Sequence, residues 1–245
     1  MKLKSFQEFV NEAEIQMNNP GEAGNDLAQL IAANKGAQEQ PKGSNSGEMV
    51  NQYLQSTGLQ GGNPWCMAFV YYVFNELCKK LGTPNPLPKT ASVMDHWSKA
   101  DAALKLTAEQ IKANPELIKP GQIFIMSRQG SGEGHTGIIL KSEGGGKFIT
   151  VEGNANDQVS IVNRDISKMP LVGVIDYFKG TRTPEFEADL EKTVGAAGAS
   201  TGTAGATGSD SQQSSQDTGL FGAIIKGLGR TFHLNIQDGD LVKTL

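Results

Sequence analysis

The sequence predicts an α+β protein, with helices in its first half and an antiparallel sheet in its second. Three observations predict it. Up to about residue 114 the apolar residues recur at helical spacing. After Pro120-Gly121 the period changes to short runs rich in Ile, Phe and Val, separated by glycine turns. From residue 183 the composition collapses to Gly, Ala, Ser, Thr, Gln and acids, which cannot bury a core. Helices first and strands afterwards argue for one sheet with helices packed against it.

The elements follow in order. Residues 1–14 place Leu3, Phe6, Phe9 and Val10 at helical spacing, a short amphipathic helix. Residues 15–26 are polar and contain Asn-Asn-Pro-Gly, a turn or linker signature. Asp26 is placed to cap a helix carrying Leu27, Leu30 and Ile31. Met49, Val50, Tyr53 and Leu54 form a second helical face, beginning after Ser46 and ending near Gly58. Gly61, Gly62 and Pro64 then mark a loop. From Trp65 to Lys79 the chain is helical and apolar nearly all round, the mark of a buried helix, and Gly82 closes it. Pro84, Pro86 and Pro88 make an extended connector, and a polar helical region spans 91–114. Strands are expected at 122–127, 136–142, 147–152, 159–163 and 171–178, with turns at 130–134 and 144–146.

These shifts divide the 245 residues into a leader or docking segment (1–26), a compact domain (27–182), a flexible linker (183–218) and a C-terminal segment (219–245). The C-terminal segment contains GLFGAIIKGLG. Its glycines weaken a helix, and Lys226 and Arg230 make a thin basic face. Docking onto a partner protein is therefore expected ahead of membrane contact through 219–230. A net charge of −4 with no basic field excludes nucleic acid as a partner. Two cysteines, Cys66 and Cys78, make no disulfide framework, and the expected compartment of synthesis is reducing. Lys2 and Lys4 precede neither a long apolar core nor a cleavage site, and no run reaches membrane-spanning length.

One set of residues carries chemistry. Cys66 stands where a glycine-rich loop enters the buried helix. There the free N–H groups and the helix dipole favour a thiolate, and the same groups can hold an oxyanion. His135, in GEGHTGIIL, stands at the mouth of a strand, a rigid mount for a base. Glu152 and Asn154, in TVEGNAND, stand at the end of the next strand. A carboxylate there can accept from the imidazole and fix its tautomer. Each signal alone is ordinary: a buried cysteine, a loop histidine, an acidic strand end. Their order is not. His96 and His233 lie in less suggestive places.

GGNPWCMAFVYYVF resembles the nucleophile segment of the CHAP family, the cysteine, histidine-dependent amidohydrolases/peptidases. PGQIFIMSRQGSGEGHTGIIL resembles that family's histidine segment, and FITVEGNAND its acid/asparagine segment. EQPKGSNSGEMVNQYLQSTGL resembles the approach to the nucleophile in phage members, and the likeness spans roughly residues 38–178. It implies a papain-like fold and cysteine-dependent cleavage of amide or peptide bonds in bacterial peptidoglycan, with 27–182 as the catalytic domain. It carries nucleophile onto Cys66, base onto His135, orienting acid onto Glu152 and an assisting role onto Asn154. Gln60, six residues before Cys66, stands where papain-like enzymes place an oxyanion glutamine. Trp65 and Trp97 are candidate substrate-facing aromatics. Some members bind calcium through an Asp-rich loop; residues 34–48 hold Glu39 and Glu48 but no Asp cluster, so no metal or other cofactor is expected.

The pattern KSFQEFVNEA is similar to the leader of many proteins of large tailed bacteriophages. That likeness implies an enzyme made in the host cytoplasm and carried in the virion tail, with other phage structural proteins as partners. A free endolysin, an inactive CHAP-like structural virion protein and a toxin-type effector are the competing readings.

Overall fold

The computed structural model describes residues 13–16, 20–128 and 133–195. Six helices are described: α1 (Pro20–Asn34), α2 (Glu48–Ser56), α3 (Cys66–Leu81), α4 (Val93–Lys99), α5 (Ala108–Ala113) and α6 (Pro184–Gly195). They surround a six-stranded sheet of β1 (Lys105–Thr107), β2 (Ile123–Ser127), β3 (Gly134–Gly144), β4 (Lys147–Ala155), β5 (Gln158–Asp165) and β6 (Leu171–Ile175). The strand order is β1-β6-β2-β3-β4-β5, and every neighbouring pair is antiparallel. The α+β expectation is met, with helices first and sheet second.

Alternation along the strands divides the interior in two. Ile123, Ile125, Ile138, Leu140, Val151 and Ile175 turn one face into the core shared with α1, α2 and α3. Phe124, Ile139, Phe148 and Val174 turn the other into a smaller core closed by Ala108 and Ile111 of α5. The helix α3 is the spine of the first core: Met67, Ala68, Phe69, Val70, Val73, Phe74 and Leu77 are fully buried. Gly82, at φ 66°, ends it in the left-handed region that glycine enters without strain.

The sheet meets α3 at Gly153. A Cβ there would stand 2.6 Å from Cβ of Phe69 and 2.9 Å from the Trp65 ring, so only glycine lets β4 lie this close to the start of the helix.

Three expectations are corrected. The helix expected from Asp26 begins at Pro20, inside the presumed leader, because proline suits a first helical turn, where its missing N–H costs nothing. The polar region 91–114 is not one helical stretch. Ser92 caps α4, Thr107 and Gln110 form a capping box for α5, and β1 lies between them, drawn into the sheet by pairing with β6. The presumed linker opens with α6, whose Phe186 and Leu190, four residues apart, are fully buried; the Phe186 ring lies 4.6 Å from that of Phe178. The leader helix over 1–12, the tip of the β2–β3 turn, the linker beyond 195 and the segment 219–245 lie outside the described residues.

His96 of α4 is fully buried. Its Nε2 lies 3.3 Å from the Tyr177 hydroxyl, while Nδ1 approaches the Pro88 carbonyl without a well-formed hydrogen bond. Burial pushes its pKa down to about 4 against the favourable influence of Pro88 and Asp95. The folded state therefore holds this ring neutral, while the unfolded chain takes up a proton below pH about 6.5. The resulting stability is present above that pH and is lost as pH falls through about 4. The loss should reach roughly 3 kcal/mol once the pH has passed below the folded value. Denaturant melts of wild type and His96→Phe between pH 7 and pH 4 check this: the variant should show a shallower loss.

Candidate active site

Cys66 is the first residue of α3 and is 5 % exposed. The helix supplies free N–H groups at this end. What fixes the approach to it is a buried acid. The Trp65 indole N–H donates to Glu39 Oε1 at 2.9 Å, and the Asn45 backbone N–H donates to Glu39 Oε2 at 2.8 Å. Gly62 N–H donates to the Asn45 carbonyl at 2.7 Å. The loop before α2 and the loop before α3 are thus tied together through Glu39, which is 4 % exposed.

His135 lies at the start of β3, opposite Met126 of β2, and is 7 % exposed. Its Nε2 lies 2.7 Å from Glu152 Oε2. The Cys66 thiol stands beside the imidazole and acts on its charge. Burial on its own would lower the imidazole pKa. Cys66 and Glu152 outweigh it and raise the value to about 9. The protonated ring is therefore favoured in place.

Glu152 is fully buried on β4. Burial raises its proton affinity, but His135 and Arg164 outweigh this and hold the carboxyl below its ordinary range. An ionised carboxylate only accepts, so Nε2 of His135 carries the hydrogen and Nδ1 of the neutral ring is left as an acceptor. Oε1 accepts from the Thr150 hydroxyl at 2.6 Å and from Arg164 Nε at 2.7 Å. Oε2 accepts from Arg164 Nη2 as well as from His135.

The sheet makes room for this by leaving out a side chain. Gly137, two residues after His135 on the same face of β3, has no Cβ; one there would stand 2.6 Å from Glu152 Cγ and 2.5 Å from the Val151 carbonyl. The Glu152 side chain crosses the space over Gly137 to reach the imidazole.

Cys66, His135 and Glu152 are therefore brought together. Asn154, at φ 56° in the irregular end of β4, sends its amide to Asn45 Oδ1 at 3.1 Å. Gln60 is exposed on the loop before Cys66, and its carbonyl accepts from the Asn63 amide at 2.9 Å.

The two tryptophans behave differently from expectation. Trp65 is fully buried, stacked on Tyr53 with centroids 5.6 Å apart, and its N–H is spent on Glu39. It is a core residue and offers no face to a substrate; standing next to Cys66 in sequence says nothing about which way a ring turns. Trp97 is half-buried on α4, against Gly173 of β6, with Lys105 Nζ 5.3 Å from its ring centroid. That is the β1–β6 end of the sheet, whereas His135 and Glu152 stand on β3 and β4.

Arg164, Thr150, Glu39 and Asn45 were not foreseen. Parity was the available signal for two of them. Thr150 shares a face with Glu152, and Arg164 shares the face of Ser160, which pairs with Glu152. Nothing in the sequence ties Glu39 to Trp65.

Among the described residues no cluster of three or more His, Cys, Asp or Glu side chains is placed to hold a metal ion. No curated protein and no solved structure matches the chain. The family model of the CHAP domain matches residues 58–154, a span that runs from the end of α2 to Asn154 and contains Cys66, His135 and Glu152. The match assigns residues 58–154 to a CHAP domain, a papain-like domain of peptidoglycan hydrolases.

Proposed function

We propose that this chain cleaves an amide bond of peptidoglycan through an acyl-enzyme on Cys66, with His135 as general base and acid and Glu152 as the group that orients the imidazole. The observation that carries this reading is Cys66 at the start of a buried helix, beside an imidazole whose Nε2 lies 2.7 Å from the buried Glu152 carboxylate. His135 takes the thiol proton, and the thiolate attacks the carbonyl carbon. The oxyanion is received by the Cys66 backbone N–H and by the side-chain amide of Gln60 or Asn154. The C–N bond breaks as His135 returns its proton to the leaving amine. A water molecule then gives a proton to His135, hydrolyses the thioester and frees the thiol.

The setting in which it acts is proposed as the tail of a bacteriophage particle. The support is the KSFQEFVNEA pattern and the likeness of residues 39–59 to phage members of the family. Mass spectrometry of purified particles decides it: the chain among the structural proteins supports the reading, and its confinement to the lysate supports a free endolysin.

Zymography on purified peptidoglycan, followed by mass spectrometry of the fragments, tests the chemistry. Cys66→Ala and His135→Ala should each lower turnover by roughly a thousandfold or more. A Cys66→Ala protein that still clears the wall would sink the assignment. Turnover should fall as pH rises through about 9, where His135 loses the proton needed by the leaving amine. Gly137→Ala tests the orienting role. Its Cβ would push the Glu152 side chain aside and lower kcat by roughly a hundredfold, with the circular dichroism of a folded protein retained.

A further inference from the structure

The face of β5 behind Glu152 carries a charge that the mechanism above does not use. Arg164 Nε donates to Glu152 Oε1 and Nη2 donates to Oε2. A guanidinium is planar and permanently charged, so two parallel hydrogen bonds fix the plane of the carboxylate as well as its position. Thr150 takes a further place on Oε1. His135 meets Oε2 from the side the fork leaves open. The guanidinium is itself held, 5.5 Å from the centroid of Phe124, whose ring lies 6.2 Å from that of His135. Arg164 keeps 22 % of its side chain exposed, whereas Glu152 has none.

We infer that Arg164 is a positioning residue that aims the Glu152 carboxylate at His135 and, through its charge, sets the pH range over which the Cys66–His135 pair is active. The inference rests on the reading of Cys66, His135 and Glu152 as the catalytic set.

The ionisable groups that bear on Glu152 are His135 from β3 and Arg164 from β5, and those that bear on His135 are Cys66 from α3 and Glu152 from β4. In the active form these are a thiolate, an imidazolium, a carboxylate and a guanidinium, which sum to zero. Without the guanidinium the same buried cluster carries one net negative charge. A buried negative cluster binds every proton more tightly. The protonation that quenches the thiolate and the deprotonation that discharges the imidazolium must then both move to higher pH. A residue that merely held the fold together would move neither.

The test compares wild type with Arg164→Gln, which keeps an amide for the carboxylate but no charge, and with Arg164→Lys, which keeps the charge but no fork. Wall hydrolysis is followed against pH, and alkylation of Cys66 by iodoacetamide is followed on the same proteins as a readout that needs no turnover. Cys78 will not interfere, since burial pushes its thiol up to about 12. Both limbs of the Arg164→Gln hydrolysis profile, and its alkylation curve, should move up by about one pH unit. The lysine variant should keep the limbs of wild type while kcat falls roughly tenfold and KM stays within about twofold. Limbs that stay in place in a folded Arg164→Gln protein overturn the charge role, and full kcat in Arg164→Lys overturns the aiming role. If the glutamine variant does not fold, the lysine variant alone decides the aiming role, and urea-free wild type titrated by alkylation in low and high salt still reads the charge: a curve that does not respond to Arg164→Lys or to salt supports a buried, charge-balanced cluster, and a curve that shifts with salt overturns it. A wild type whose Cys66 alkylates only as an ordinary thiol, with a pKa near 8.5, would instead remove the catalytic reading itself, whatever the variants do.

Discussion

The ionised carboxylate of Glu152, sealed inside the sheet, is the constraint from which the rest of the candidate site follows. A buried carboxylate is strongly disfavoured unless its oxygens are paired and hydrogen-bonded. Here Thr150, Arg164 and His135 share the two oxygens. These three come from two positions along β4 and β5 and from β3. The charge therefore demands that the three strands keep their register. A slip of one residue in β4 would turn the carboxylate to the other face, into the apolar core around α3. The same demand explains why His135 is held more basic than a free imidazole although it is nearly as buried as its partner. Two charges of opposite sign enter the interior together, each offsetting much of the other's desolvation.

Two glycines convert that electrostatic demand into geometry. Gly153 lets β4 press against Trp65 and Phe69 at the start of α3, and Gly137 lets the Glu152 side chain pass beneath the imidazole. They lie on opposite faces of the sheet and act in opposite directions, one drawing α3 in and the other letting the Glu152 side chain out. Glu39 completes the mounting from the far side. It is a second buried carboxylate, yet it meets only neutral N–H donors from Trp65 and Asn45. It serves as a clasp for two loops, and its position ahead of α2 means that the stretch from 38 to 47 belongs to the site's scaffold although it carries none of the expected chemistry.

Much of this was legible in the sequence, and the reasons are local. The apolar run from Trp65 and its closing Gly82 give α3 almost to the residue, because burial on all sides and a left-handed stop are written in neighbouring positions. The five expected strands are found for the same reason. Cys66, His135 and Glu152 could be picked out because their order along the chain suits one helix start and two adjacent strands. What escaped was decided by distant contacts. Trp65 turns inward because Tyr53 and Glu39 wait there, 12 and 26 residues away in the chain. The helix at Pro184–Gly195 has only Phe186 and Leu190 to mark its buried face, and it merges in composition with the polar stretch that follows. Arg164 reads as an ordinary polar residue of an edge strand until its partner is known.

The two cysteines show how little residue type decides and how much position does. Cys66 and Cys78 stand on the same helix, one at its first residue and the other twelve residues on, and both are nearly inaccessible to solvent. Along an α-helix that separation is about 18 Å, so the two sulfurs do not meet. Cys78 is packed in the apolar core, where burial alone acts on its thiol and pushes the pKa up to about 12. Cys66 meets the imidazole of His135, the free N–H groups of the helix start and, through the ring, a carboxylate that Arg164 holds charged. Burial without a partner silences a thiol, whereas Cys66 is buried beside a group of opposite sign to a thiolate. A hydrolase of this kind therefore depends less on exposing its sulfur than on enclosing it with the right opposite charge.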